Sequence, residues 1–248
     1  MCNISKGKVT VYLMRHGQTI INRAGRIQGW CDGVLTKDGI DAAVDTGYGL
    51  RDTVFKSVYS SDLGRAIKTA NIVIKENKNS KDLKLNEVED LREVYFGKYE
   101  GEHENILFQD ILNYLNVKNI KEAEEKYEFQ RAYCDSAAAL DETNEAEDYN
   151  TALNRVLKGL DDICIENEEE DDVNILLVIH GGILRLIIDH FDKTFNIRDI
   201  DNAGISTLVY DNGNYTVKSV NDMSYNEKGR AMRLGKDKMN FIIRQLKY

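Results

Sequence analysis

Proline is absent from this chain of 248 residues, where ordinary usage would place about a dozen. Turns must then be made by Gly, Asn and Asp. Slow prolyl isomerisation also drops out as a folding step. Cysteine is scarce. Cys2, Cys31, Cys134 and Cys164 are scattered without CxxC spacing, which argues against a zinc site and gives no reason to expect disulfides. No apolar run approaches the roughly 20 residues that span a bilayer. Lys6 and Lys8 interrupt any signal-peptide core almost at once, so a cytoplasmic location is expected. Positive charge is in deficit: 33 Lys and Arg stand against 42 Asp and Glu, a net charge of −9. That balance is unfriendly to nucleic acid. Neither nucleic acid nor membrane is expected as a partner, and oligomeric state is left open.

What is present suits a folded domain: 42% of residues are hydrophobic and 30% charged. The charge is uneven. Asp161 to Asp172 holds eight acids and no base, which reads as a helix end and a solvated loop. Ser224 to Tyr248 holds seven Lys or Arg against two acids. Met239, Ile242, Ile243 and Leu246 share one stripe there, so this tail reads as an amphipathic helix docked on its own domain.

Strand-like and helix-like segments alternate along the chain. Val9 to Met14, Phe55 to Ser60 and Val173 to Ile179 read as strands, with Leu83 to Leu85 as an edge strand. Thr36 can cap a helix to about Leu50, with Gly39 an early weak point. Leu63, Ala66, Ile67, Ala70, Val73 and Ile74 recur at helical spacing. Gly101 to about Cys134, Glu145 to Ile165 and Gly182 to Phe191 read as helices. Ser206 to Tyr210 and Tyr215 to Val220 pair through Asp211-Asn212-Gly213-Asn214. The fold expected is α/β: a three-layer sandwich with a mostly parallel central sheet and helices on both faces. One domain over residues 1–248 is expected, with a helical lid inserted at about 101–150.

Two histidines stand where buried-looking strands end in glycine. One lies in Arg15-His16-Gly17-Gln18-Thr19, the other in Ile179-His180-Gly181-Gly182. Open α/β sheets bind ligands at the carboxyl ends of their strands. A third strand end brings Ser60-Ser61-Asp62-Leu63-Gly64-Arg65. Two Arg and two His around one point make a site for a dianion, since Arg binds phosphate bidentately and stays charged. Helix N-termini after Gly17 and Gly181 would add backbone N–H donors. Neutral His can be a nucleophile toward phosphorus, so neither metal nor cofactor is required. Arg15, Arg65 and His180 would hold the transferring oxygens. The leaving oxygen needs a proton from a nearby carboxyl. Glu93, in the short apolar stretch Leu91-Arg92-Glu93-Val94-Tyr95-Phe96-Gly97, is the best candidate, with Glu100 next.

These residues resemble the histidine phosphatase superfamily, often called phosphoglycerate mutase-like, over almost the whole chain. Arg15-His16-Gly17-Gln18-Thr19 is similar to the family's first signature, which places His16 on its phosphorylated histidine. Asn22, Arg26, Gln28-Gly29, Asp32, Leu35-Thr36 and Gly39 match the stretch that trails it. Arg65, Glu93 and His180 fall on the second phosphate arginine, the acid and the second histidine, and Asn202 with Ser206 resembles a late asparagine segment. The resemblance implies that Gly17, Thr19, Asn22, Gln28, Gly29 and Gly181 bind substrate. Departures also count. The glycolytic mutases carry His-Tyr-Gly after the acid and a basic run in the insertion, whereas this chain has Val94-Tyr95-Phe96-Gly97, then Glu122, Glu124, Glu125 and Glu128. That resembles the phosphatase branch. The expectation is a metal-independent phosphomonoesterase acting on a small phosphorylated metabolite through phosphohistidine. The alternatives are a phosphoglycerate mutase and a non-catalytic phospholigand-binding regulatory protein.

Overall fold

The computed structural model describes the backbone of residues 6–169, 171–195 and 199–245, and the side chains of these residues up to Gly235. In chain order the elements are β1 (Val9–Arg15), α1 (Ile20–Arg23), α2 (Lys37–Gly49), β2 (Ser57–Ser60), α3 (Gly64–Glu76) and β3 (Leu85–Glu87). Then follow α4 (Glu104–Tyr114), α5 (Ile120–Lys126), α6 (Phe129–Leu140), α7 (Tyr149–Asn167), β4 (Val173–Ile179) and α8 (Gly181–Phe191). The chain closes with β5 (Ile205–Asp211), β6 (Asn214–Asp222) and α9 (Ser224–Gln245).

The six strands form one sheet in the order β3-β2-β4-β1-β5-β6. β1, β2, β3 and β4 pair in parallel, while β5 and β6 add an antiparallel hairpin at one edge. The alternation along buried strands divides the core. Val11, Leu13, Ile175 and Leu177 face α7 and α8. Met14, Val58, Leu176 and Val178 face α3 and the end of α2. The sheet is therefore covered on both faces, as continuous apolar strands require. The first of these clusters runs on into Leu107 and Ile111 of α4 and Cys134 and Ala137 of α6.

The register explains why distant histidines meet. Arg15 pairs with Ile179 across β1 and β4, and the His16 N–H donates to the Ile179 carbonyl at 2.9 Å. Ser60 of β2 pairs with Val178. The three strand ends therefore stop level with one another.

Several expected segments move. The single helix expected from Gly101 to Cys134 is three. Asn116 takes a left-handed conformation (φ 53°) after α4, and Asn119 caps α5 by accepting the Glu122 N–H at 3.0 Å. The helix expected from Glu145 begins at Tyr149, because Asp148 is its cap and Asp141 takes the Glu145 and Ala146 N–H groups, both at 2.9 Å. The edge strand lies two residues later than expected.

The acidic run ends α7 and leads into a loop as expected. It is not wholly solvated: Glu169 pairs with Lys56 at 2.7 Å, and Glu168 with Lys6. The basic tail is helical and packs on α2. Arg233 pairs with Asp45 at 2.7 Å, and a Cβ at Gly229 would overlap the Asp45 carbonyl. The stripe Met239, Ile242, Ile243 and Leu246 lies outside the described side chains. Among the described residues no helix is long and apolar enough to cross a membrane.

Candidate active site

His16 is held from four sides. Its N–H is taken by Ile179, and its carbonyl accepts from Asn202 Nδ2 at 2.9 Å. Ring Nδ1 lies 2.8 Å from the Gly17 carbonyl, an acceptor only, so Nδ1 carries the proton and donates it there. Nε2 is left with its lone pair, which accepts from Arg65 Nε at 3.2 Å. Burial first, then Arg65 and Arg15, hold the His16 pKa well below the ordinary 6.5. The ring is neutral at pH 7.

His180 follows β4, with its ring centroid 5.2 Å from that of His16. It is wholly buried. Burial first, then Arg65, His16 and Arg15, keep its pKa well below 6.5 as well. Its Nε2 lies 2.6 Å from Ser61 Oγ. Its Nδ1 has no hydrogen-bond partner among the described residues.

A cavity of about 230 Å³ opens beside these strand ends. Arg15, His16, Asn22, Gln28, Glu93 and Gly181 of the expected residues line it. Arg15 donates from Nη1 to the Ile200 carbonyl, and its Nε is buried without a partner among the described residues. Burial lowers its pKa and Glu93 opposes that shift. The outer wall is aromatic. Phe96, Phe108 of α4, and Phe129 and Tyr133 of α6 line it, with Arg26 and Arg185. Phe96, Phe108 and Phe129 all pack against the Tyr133 ring.

Arg65 differs from expectation. Like His180, it is buried and does not line the cavity. Nη1 donates to the Cys31 carbonyl at 2.9 Å and to Asp32 Oδ1 at 3.0 Å. Nη2 donates to the Gly29 carbonyl at 2.6 Å, and Nε to His16. The guanidinium is spent on the loop after α1 and on the His16 ring.

Three expected substrate binders are likewise frame, not lining. The Gly17 N–H donates to Thr69 Oγ1 at 3.0 Å, and a Cβ on Gly17 would sit 2.5 Å from the Gly39 carbonyl. Thr19 caps α1, and its hydroxyl lies 2.5 Å from the Gln28 amide. With that amide turned to satisfy both ends, its oxygen accepts from the Gly33 N–H at 3.1 Å. Gly29 donates to Glu100 at 3.2 Å. Glu100 also accepts from Trp30, Cys31 and Phe96 N–H groups at 2.9–3.1 Å. It organises this loop and does not line the cavity, which removes it as a substitute acid.

Glu93 ends a segment clamped from behind. Arg155 of α7 donates to the carbonyls of Asp90 and Arg92, each at 2.9 Å, and of Glu93 at 3.1 Å. It also pairs with Glu147 at 2.6 Å. Trp30 Nε1 donates to the Glu93 carbonyl at 2.8 Å. The carboxyl accepts from the Gly182 and Ile183 N–H groups, both at 2.8 Å, and from Val94 at 3.0 Å. Two N-terminal donors of α8, at Gly182 and Ile183, hold Glu93 and not a ligand, while Gly181 lines the cavity. Oε2 carries one of these bonds and Oε1 two, so Oε2 keeps a lone pair for a proton.

Ser61, Glu147 and Arg155 were missed. Ser61 lies in the segment Ser60 to Arg65, with no local signal for its partner. Glu147 and Arg155 lie eight positions apart and meet across the α7 cap, a contact that no local pattern announces.

The family model for the histidine phosphatase superfamily, branch 1, matches residues 11–223. A metal-independent phosphoserine phosphatase from Arabidopsis thaliana is 28% identical over 216 residues, covering 87% of this chain and 82% of its own. A 2,3-bisphosphoglycerate-dependent phosphoglycerate mutase from Cytophaga hutchinsonii is also 28% identical, over 79% of this chain and 82% of its own. The crystal structure of phosphoglycerate mutase from Bacillus anthracis superposes with a TM-score of 0.87, at 36% identity over 92% of this chain and 99% of that one.

Proposed function

The chain belongs to the histidine phosphatase superfamily, branch 1, and on that premise we propose that it is a metal-independent phosphomonoesterase acting in the cytoplasm on a small phosphorylated metabolite. The observation that carries this reading is the His16 ring. Its Nδ1–H is committed to the Gly17 carbonyl, so Nε2 presents a lone pair beside the cavity. Nε2 attacks phosphorus, the bond from phosphorus to the leaving oxygen breaks, and Glu93 gives that oxygen a proton. Arg15 supplies a buried cation with an uncommitted Nε–H for the phosphoryl oxygens. Arg65 Nε–H must release the His16 lone pair as phosphorus approaches. A phosphoryl oxygen is then its natural acceptor. In the second half Glu93 takes a proton from water, the new oxygen–phosphorus bond forms, the nitrogen–phosphorus bond breaks, and inorganic phosphate leaves.

A phosphoglycerate mutase is the second reading, favoured by the likeness to the Bacillus anthracis phosphoglycerate mutase. Against it stands the sequence of the insertion, which carries Glu122, Glu124, Glu125 and Glu128 where the glycolytic mutases have a basic run, although these four acids do not line the cavity. One experiment separates the two. Labelled monoester is mixed with enzyme and quenched rapidly, and steady-state product is followed with and without 2,3-bisphosphoglycerate. The hydrolase releases inorganic phosphate without primer and traps acid-labile, base-stable label, which His16→Ala abolishes. Primer-dependent isomerisation with little phosphate release would establish the mutase. An acid-stable adduct, or near-normal turnover by His16→Ala, would refute both.

A further inference from the structure

We propose that Ser61 is a positioning residue that fixes the tautomer of His180, so that the neutral second histidine presents an N–H, and not a lone pair, to the phosphoryl group. The starting point is an asymmetry. His16 and His180 are both buried and sit with rings 5.2 Å apart. Two neutral imidazoles in one place are chemically alike unless something assigns their protons. For His16 the Gly17 carbonyl does so. For His180 the neighbour is a hydroxyl, which can donate or accept.

Counting donors resolves it. Ser61 is wholly buried, at 0% exposure. Its Oγ already faces the Leu63 N–H, at 3.4 Å, a group that only donates. Its own hydrogen needs an acceptor, and His180 Nε2 lies 2.6 Å away. With Ser61 donating, His180 carries its proton on Nδ1. Nδ1 is the ring atom buried without a partner among the described residues. A buried N–H without an acceptor is costly and calls for one. A phosphoryl oxygen supplies it. The opposite assignment would leave the Ser61 hydrogen without its acceptor and the Nδ1 lone pair without a donor, both in a buried setting. Local geometry locks Ser61 in place. Its N–H donates to Val178 at 3.2 Å and its carbonyl accepts from Ser60 Oγ at 2.8 Å. The two histidines thus receive opposite tasks. His16 offers a lone pair for bond formation, and His180 offers a donor that needs no positive charge.

The purpose of this arrangement rests on the proposed phosphoryl chemistry, but the tautomer itself does not. Side-chain ¹⁵N NMR of the full chain at pH 7, with His180 assigned by its loss in His180→Asn, should show a protonated Nδ1 and a bare Nε2. Ser61→Ala should mix the tautomers and weaken inhibition by orthovanadate and inorganic phosphate about 10- to 100-fold, the scale of one donor to a charged group. Ser61→Thr, which keeps the hydroxyl, should restore both readouts. A wild-type proton on His180 Nε2 overturns the proposal. So does a Ser61→Ala variant with tautomer and inhibition unchanged. If Ser61→Ala does not fold, the wild-type spectrum decides alone. Absence of turnover with the expected tautomer present would count against the phosphatase reading and leave this assignment standing.

Discussion

Arg155→Met tests whether the clamp behind Glu93 holds the acid in place. The Arg155 and Glu147 side chains are 15% and 10% exposed, and the pair closes at 2.6 Å. Methionine keeps the stem but leaves Glu147 buried without its cation, and takes a donor from three carbonyls, of which, among the described residues, only that of Glu93 keeps another, from Trp30. Breaking a buried pair from one side costs about 3–5 kcal/mol. The residual exposure places this case near the lower end. In a chain of this length about 3 kcal/mol corresponds to a Tm loss of roughly 6–12 °C. Glu147→Gln should cost less, because its amide oxygen can still accept the Tyr95 N–H that Glu147 takes at 3.0 Å. The double variant should then fall short of the sum of the two by more than about 1 kcal/mol, since no buried charge is left alone. Urea unfolding followed by circular dichroism measures all three. Trp30, the single tryptophan, stacks on Tyr95 with centroids 4.9 Å apart and bonds the Glu93 carbonyl, so its fluorescence reports the segment separately. A loss under about 1 kcal/mol with no coupling would mean that solvent screens the pair and the clamp is idle. Activity adds a second check: turnover of alkyl phosphates should fall more than that of aryl phosphates, because only the former depend on a well-placed acid.

Glu93→Gln should slow the single-turnover burst on alkyl phosphates by roughly 10²–10⁴-fold. It should slow p-nitrophenyl phosphate, a better leaving group, much less, and equal losses would remove Glu93 as the acid. Activity should survive EDTA, and a strict divalent-ion requirement would contradict the phosphohistidine scheme. Folding stability should fall as pH drops below about 6.5. His16 and His180 have pKa values well below 6.5 in the fold, so there the unfolded chain binds more protons, and each histidine contributes at most about 1.4 kcal/mol per pH unit. The urea midpoint measured from pH 7.5 to 5 should show this slope, and His180→Gln should reduce it.

The strand ends were legible because their signal is local. Val9 to Met14 and Val173 to Ile179 are largely apolar on both faces, as strands covered on both sides are, and His16 sits two residues beyond the first and His180 one beyond the second. The Asp211 to Asn214 turn was legible for the same reason, with Asn212 and Gly213 both at positive φ. What escaped depends on pairs far apart in sequence. Arg65 was expected to face the phosphoryl group from its helix start. The carbonyls that engage it, at Gln28, Gly29 and Cys31, belong to a loop whose path Glu100 sets from 70 residues away. The breaks between α4, α5 and α6 were obscured by a continuous polar composition, in which Asn116 and Asn119 act as a helix end and a cap without proline or glycine to mark them.

The bonds of Glu93 carry a mechanical consequence. Its carboxyl is held by the N–H groups of Gly182 and Ile183, the second and third residues after His180. The proposed acid is thus tied to the same helix start that carries the second histidine. β4 pairs with β1 residue for residue up to Arg15 and Ile179, and His16 follows at once. The proposed nucleophile, the second histidine and the proposed acid therefore hang on one hydrogen-bonded unit. That arrangement favours catalysis by position, because the relative placement of three groups is fixed before any phosphate arrives. It also locates the freedom the reaction needs. Arg65 Nε must release His16, and Glu93 Oε2 must offer its remaining lone pair to a proton; both are changes of hydrogen-bond partner within a fixed frame.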